Sequence, residues 1–275
     1  MNNILNLYNI ELKRIYKWYL GFLGLFLMGN ILVFIQSINA VIGEVARSTK
    51  SKPSINLIKL KEANEIWYQF EFSNLLNMMN LLVGLAVIFC LIYALVIWYR
   101  DFIGRDKIGY TLFMLPHNKF NIYIAKAITV IVMIYGVMLT QILASFIGFN
   151  IIKILSDLNN QEFKSFVEYF MTERRMISLI QPYFTDFIMV NIIGVILAVV
   201  VIFTGVMIQK SFKIPGIILG CIYIFGSIYL FLGSIYTLRG EFPDQYLMIH
   251  GVYYLILFVV SIAISYVLLN KKVYV

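Results

Sequence analysis

The chain has 275 residues, of which 61% are hydrophobic and only 13% are charged, and its mean hydropathy is +0.85. Soluble domains contain about 45–50% apolar residues, so this composition excludes a water-soluble fold. The net charge is +8. Membrane topology and attraction to an anionic inner leaflet explain this excess, and nothing in the sequence requires nucleic acid as a partner.

The apolar residues fall into separate runs, each long enough to cross the roughly 30 Å of hydrocarbon in a bilayer as an α-helix. The sequence therefore predicts an all-α integral membrane protein with a single transmembrane domain over residues 1–275. Six transmembrane helices are predicted, at about 19–42, 75–99, 122–152, 185–208, 214–237 and 247–269. The third is longer than a crossing needs, which indicates tilt or a helix that continues beyond the bilayer.

The N-terminal residues 1–18 place apolar side chains near helical spacing, with charged side chains between them. This pattern predicts an N-terminal amphipathic interfacial helix that lies on the membrane surface. The alternative is a charged flank that only anchors the first span.

The distribution of lysine and arginine predicts that both termini are cytoplasmic. In this orientation the inner segments contain 12 of the 22 basic residues and only three of the 14 acidic ones, Glu11, Asp101 and Asp106. Their net charge is then +9, against −1 for the rest of the chain. Segments 43–74 and 153–184 become extracellular loops, which act either as substrate gates or as caps over the span ends.

The sequence lacks the patterns that would give this chain chemistry of its own. It has no GxxxxGK[ST] motif, and the span centres carry no Asp, Glu or His of the kind that intramembrane proteases and proton-coupled transporters use. Cys90 and Cys221 lie in apolar runs, and the isolated His117 and His250 suggest no metal site. We therefore expect no catalytic residues, no metal and no cofactor in this chain.

Lys126 is the one charge clearly inside an apolar run, one turn into the third span. A lysine in that position can snorkel, which means that its ammonium extends to the interface.

Gly216 and Gly220 form a GxxxG pattern in the fifth span. Small residues at this spacing let two helices approach closely. The pattern indicates either a dimer contact or packing within the chain, and the second interpretation is favoured.

Residues 98–126, between the second and third spans, have the most ordered polar pattern in the protein. Basic and acidic residues alternate there with apolar ones. A short amphipathic helix of this composition can dock in a groove of a soluble protein. Pro116 limits helix continuation, and Asn118 is a candidate cap for the third span. From the residues alone, the alternative is that they only fix two helix ends at the headgroups.

This segment contains the string RDF-x-G, then a glycine and a tyrosine, then L-x-x-L-P, and a lysine ten residues after the proline. It resembles the permease subunits of type 2 ABC exporters, the ABC-2 family. The resemblance extends over most of the chain in outline, but only over residues 98–126 in detail. The family often has re-entrant helices between spans five and six, whereas residues 238–246 are brief here.

The resemblance implies that residues 100–121 form a cytoplasmic coupling loop, with a coupling helix that rests on a separate ATPase subunit. The residues expected to form or orient that contact are Arg100, Asp101, Phe102, Gly104, Arg105, Gly109, Tyr110, Leu115 and Pro116.

The resemblance further implies a permease that pairs with a second permease, identical or related, and with two ATPase subunits that bind ATP and Mg. The complex would move an amphipathic substrate out of a bacterial cell across the cytoplasmic membrane, and an antimicrobial or secreted peptide is the preferred cargo by analogy. Two alternatives stay open. One is a non-transporting membrane sensor or assembly partner, and the other is an ion-coupled secondary transporter.

Overall fold

A computed structural model describes residues 2–59, 63, 66, 72–103, 119–156, 192–237 and 243–271. These residues form helices and turns and contain no β-strand. The long helices are α1 (Asn2–Ser48), α2 (Phe72–Ile103), α3 (Lys119–Ser156), α4 (Val195–Thr237) and α5 (Pro243–Lys271), and a short 3-10 helix spans Ile55–Lys59. The predicted all-α fold is confirmed for this part of the chain.

Five helical segments are long and apolar enough to cross a membrane. They are Ile4–Ser48, Asn77–Asp101, Lys119–Leu155, Ile192–Phe212 and His250–Asn270. A further apolar stretch, Pro215–Phe231, is shorter, at about 25 Å for a rise of 1.5 Å per residue. Helices satisfy every backbone polar group internally, which the interior of a bilayer requires. Several long apolar helices thus indicate a multi-pass membrane protein.

α1 is one helix of 47 residues. The amphipathic segment 1–18 is therefore continuous with the first span and is not a separate element. The helix also runs six residues past the predicted boundary at residue 42, into the segment predicted as an extracellular loop.

The end of α1 is set by a left-handed residue that is not a glycine. Lys50 has a φ of 50°, in the left-handed region where glycine usually ends a helix. The Ser51 N–H donates to the Ala46 carbonyl at 3.1 Å, and the Lys50 N–H donates to the Arg47 carbonyl at 3.4 Å. This is a Schellman cap without glycine, so the sequence carried no stop signal at this point.

α3 has 38 residues and is about 57 Å long. This length exceeds the roughly 30 Å of bilayer hydrocarbon, so the third span lies in a helix longer than a crossing needs. Of the predicted extracellular loops, residues 157–184 lie outside the described residues, as does most of 60–71.

The chain divides into two compact units. The first unit contains Met1–Tyr16, Ile88–Ile134 and Ile188–Val275, and the second contains Lys17–Val87 and Tyr135–Phe187. Helices α1, α2 and α3 each contribute residues to both units.

In the second unit, α1 packs against α3 where α3 has glycines. A Cβ added to Gly148 would lie 2.2 Å from Cζ of Phe34, so the ring occupies the space that a side chain would need. Phe34 also meets Phe149 edge to face at 5.7 Å. Nearer the start of both helices, Tyr19 packs in the same way on Gly136. The order of these contacts shows that α1 and α3 run parallel.

In the first unit, α4 folds back on itself. Gly205 and Gly220 would be about 22 Å apart in a straight helix, yet a Cβ added to Gly220 would lie 2.6 Å from the Gly205 carbonyl oxygen. α4 is therefore a helical hairpin with arms Ile192–Phe212 and Pro215–Phe231. Gly216 lies equally close to the backbone of the first arm. Packing within the chain, the favoured interpretation of the GxxxG pattern, is confirmed.

Hydroxyl groups join both arms of α4 to α5. Thr204 Oγ1 lies 2.9 Å from Ser265 Oγ, and the Tyr223 hydroxyl lies 2.6 Å from Ser261 Oγ. Both serines are completely buried. Interhelical hydrogen bonds of this kind hold apolar helices together where burial of apolar surface gives little driving force.

Candidate functional site

Five charged side chains, of which three are buried, form an ion-pair cluster in the first unit. Glu11 and Arg14 come from α1, Arg100 and Asp101 from the last turn of α2, and Lys126 from the third turn of α3. We call this set the ion-pair cluster. Three segments that are far apart in sequence thus converge on one charged site in this unit.

Lys126 lies at the centre of the ion-pair cluster and is only 1% exposed. Its ammonium donates to Glu11 Oε1 at 2.9 Å, to Asp101 Oδ2 at 2.5 Å and to the Ile97 carbonyl at 3.3 Å. A lysine ammonium has three N–H donors, and three acceptors surround it here. Its hydrogen-bonding capacity is therefore filled.

The ammonium of Lys126 is not exposed to solvent, because it is enclosed by partners from other helices. Snorkelling is favoured when a charged head has no partner inside the membrane. Here two carboxylates reach the lysine, one from a residue 115 positions away and one from a residue 25 positions away. Their attraction stabilises the buried ammonium. The position of Lys126 in an apolar run did not reveal these partners.

The remaining oxygen atom of each carboxylate pairs with arginine. Arg100 Nη2 donates to Glu11 Oε2, and Asp101 Oδ1 lies 3.5 Å from Arg14 Nη1 and 3.9 Å from Arg100 Nε. Arg14 Nη1 is also 3.6 Å from Glu11 Oε1. All four carboxylate oxygens therefore face a cation, although both acidic residues are buried.

Aromatic rings close one side of the ion-pair cluster. The Lys126 ammonium is 5.2 Å from the centre of the Trp98 ring, within the range of a cation–π contact. Trp98 packs edge to face on Phe203 at 5.5 Å, and Phe203 packs in the same way on Tyr123 at 5.4 Å. These buried rings keep water away from the ammonium, so the ionic attractions act in a low dielectric.

This arrangement is suited to fixing helices and not to acid–base catalysis. Each carboxylate oxygen is already engaged, so neither acid is free to take a proton from a substrate. Among the described residues, no group of three or more His, Cys, Asp or Glu side chains is placed to hold a metal ion. The direct Asp101–Lys126 ion pair joins the end of α2 to the beginning of α3, and Glu11 ties both to α1.

Two of the predicted coupling residues lie in the ion-pair cluster, because Arg100 and Asp101 are both members. The backbone of Phe102 belongs to α2. The remaining predicted positions lie outside the described residues; these are Gly104, Arg105, Gly109, Tyr110, Leu115 and Pro116.

Sequence reasoning missed the roles of Glu11 and Arg14. These two residues are one turn apart on an amphipathic helix, which is the usual pattern of a solvated charged face. The available signal was the lone Lys126 in an apolar run, because a buried cation requires an acidic partner. Only three acidic residues were predicted on the same side of the membrane, and two of them are the partners.

No protein-family model matches the sequence, and neither a curated protein nor a solved structure matches it. The case for a function therefore depends on the sequence resemblance and on the geometry of the ion-pair cluster.

Proposed function

We propose that this chain is the permease subunit of an ATP-driven exporter of the ABC-2 type in a bacterial cytoplasmic membrane. In this proposal both termini are cytoplasmic, and residues 100–121 are the coupling loop that contacts the ATPase. One observation carries the proposal. The ion-pair cluster fixes the two helix ends that flank residues 104–118, the part of the sequence that resembles the coupling loop.

A coupling loop that transmits a movement of an ATPase subunit to the transmembrane helices needs a rigid attachment at each end. Asp101 lies two residues before the end of α2, and Lys126 lies seven residues after the beginning of α3. Their 2.5 Å ion pair closes the base of the segment between them. Displacement of that segment would therefore move α2 and α3 together, and Glu11 would pass the movement to α1. Such coordinated helix shifts are the basis of alternating access.

Six spans are part of the proposal. The second arm of α4 stays helical from Pro215 to Thr237, which corresponds to about 34 Å and is enough for a crossing. The hairpin turn between the arms then lies near Lys210 and Lys213, on the predicted inner side. A tight turn with basic residues fits a short cytoplasmic connection.

The cargo in this proposal is an amphipathic substrate, with an antimicrobial or secreted peptide preferred by analogy alone. Within the described residues, the charged side chains that are fully buried all belong to the ion-pair cluster. Many large apolar and aromatic side chains are exposed along the apolar helical stretches, which favours amphiphiles over small ions. Two ATPase subunits would supply ATP and Mg, and a second permease, identical or related, would complete the pathway.

Co-purification from the native host in mild detergent tests the proposal. We would compare the wild type with the loop variant Arg105→Glu plus Lys107→Glu, and with the control variant Lys271→Glu plus Lys272→Glu. Both variants reverse two positive charges in segments predicted to be cytoplasmic, and neither changes the ion-pair cluster. Mass spectrometry would identify the soluble subunits that accompany each protein.

We expect an ATPase with the wild type and with the control, and at least a tenfold smaller yield with the loop variant. Equal yields from all three proteins would move the ATPase contact away from the loop. Absence of any ATPase from the wild-type preparation would refute the exporter assignment and favour a sensor or a secondary transporter.

A further inference from the structure

The ion-pair cluster has an inner and an outer layer of charge. The ammonium of Lys126 and the two carboxylates are buried, whereas the side chains of Arg14 and Arg100 are 26% and 32% exposed. The two guanidinium groups lie beside the same oxygen, Asp101 Oδ1, at 3.5 Å and 3.9 Å. Two partly exposed arginines are thus held close together on the open side of the cluster.

The outer layer carries more positive charge than the inner layer can neutralise. Three cations share two carboxylates, so one positive charge is left over. Arg14 is the most weakly engaged of the three. Its distances to the carboxylates, 3.5 Å and 3.6 Å, exceed the roughly 2.7–2.9 Å of a strong charge-assisted hydrogen bond. Its guanidinium therefore keeps donors for an additional anion.

We infer that Arg14 and Arg100 bind the phosphate of an anionic phospholipid at the membrane surface. Arginine presents a planar fork of N–H donors that matches phosphate, and a phosphate between the two guanidiniums would neutralise the extra charge. Arg100 lies at the end of the apolar stretch Asn77–Asp101, which is where headgroups are expected. The inference does not depend on the exporter proposal.

The surface beside Arg100 favours a lipid over a soluble phosphate. Phe89, Ile92 and Val96 precede Arg100 at intervals of three and four residues, so all four lie on one face of α2. These three apolar side chains are about half exposed. They form an apolar stripe that leads to the guanidinium. A phospholipid matches this pattern because its phosphate sits at the arginines while an acyl chain lies along the stripe.

Native mass spectrometry of the delipidated protein alone tests this inference. The protein is titrated with phosphatidylglycerol and, separately, with phosphatidylcholine. The test variant is Arg14→Gln, and Arg14→Lys retains the charge but loses the fork. The control is Arg47→Gln at the other end of α1, because Arg47 is exposed and pairs on the surface with Glu44. Elution as a single species confirms that each variant is folded.

We expect the wild type to prefer phosphatidylglycerol, and Arg14→Gln to bind it about tenfold more weakly, the loss of one charge-assisted contact. Arg14→Lys should lie between them, and Arg47→Gln should match the wild type. Equal binding by Arg14→Gln and the wild type would overturn the site. Displacement of phosphatidylglycerol by millimolar glycerol phosphate would overturn the lipid as ligand and assign the site to soluble phosphates.

Discussion

Removal of the Lys126 ammonium should destabilise the first unit strongly. Lys126→Met preserves most of the side-chain length but leaves the Glu11 and Asp101 carboxylates buried without their central cation. Breaking a buried ion pair by removing one partner costs about 3–5 kcal/mol. Here the buried Asp101 Oδ2 loses the ammonium that lies 2.5 Å away, and the two partly exposed arginines remain on the other carboxylate oxygens. Because 1 kcal/mol corresponds to roughly 2–4 °C for a protein of this size, the unfolding midpoint should fall by about 6–20 °C.

The triple variant Glu11→Gln, Asp101→Asn, Lys126→Met should be more stable than Lys126→Met alone, although it changes more residues. It removes all the charges of the inner layer, and neutral amides need no ionic partner. Replacement of a whole buried ionic group by neutral side chains is often neutral in stability. The two arginines are partly exposed and can turn to solvent. We therefore expect the triple variant to recover most of the stability that Lys126→Met loses.

Cys90 provides the assay. It lies on α2 in the same unit and is completely buried, so a thiol-reactive fluorescent dye reports its exposure on heating. Cys221 is exposed, so all proteins carry Cys221→Ala, which leaves Cys90 as the single thiol. Lys13→Met, which removes an exposed lysine two residues from Glu11, is the matched control and should unfold like the parent. A midpoint for Lys126→Met close to that of Lys13→Met would refute the ionic role, as would a triple variant no more stable than the single one.

Two further substitutions test helix packing, one with a glycine control, and a third tests the end of α1. Each is measured by the same heating experiment or by urea unfolding in detergent. Gly148→Ala should destabilise by about 1–3 kcal/mol, because its Cβ would overlap the Phe34 ring, whereas Gly84→Ala should be neutral or slightly stabilising, since an added Cβ there meets no described atom within 4 Å. Gly220→Ala should cost about 1–3 kcal/mol by forcing apart the arms of the α4 hairpin, and an unchanged midpoint would contradict that close contact. Lys50→Gly should stabilise by up to about 1 kcal/mol, because glycine adopts the left-handed cap without strain; a loss of stability would argue against the Schellman cap.

The course of the helices could largely be predicted from the sequence, because hydropathy reports directly which segments can lie in lipid. The five long apolar helices overlap predicted spans, and α3 is longer than a crossing needs, as its sequence indicated. The end of a helix was less predictable where the capping residue in the left-handed conformation is not a glycine. α1 continues to Ser48 because Lys50, and not a glycine, adopts the left-handed conformation, and the composition of residues 43–48 gave no warning.

The candidate site could be predicted only in part. The polar pattern around Arg100 and Asp101 drew attention to the correct helix end, but pairing across 115 residues has no periodicity that a sequence can reveal. Glu11 looked like one of several charges on a solvated helix face. The structure was needed to show that this one residue turns inward and that Lys126 is its partner.

The two layers of the ion-pair cluster have different proposed roles: the inner layer fixes the helices, and the outer arginines bind an anion. In the inner layer every acceptor and donor is engaged, so this layer can fix helices but cannot respond to a ligand. The outer arginines are partly exposed and carry the excess charge, so they can bind an anion without disturbing the lysine beneath. The same layering bears on orientation. Glu11 and Asp101 are two of the three acidic residues predicted on the inner side, and both are buried under arginines. In the proposed orientation, the exposed charges of the ion-pair cluster are therefore positive, which is what an anionic leaflet attracts.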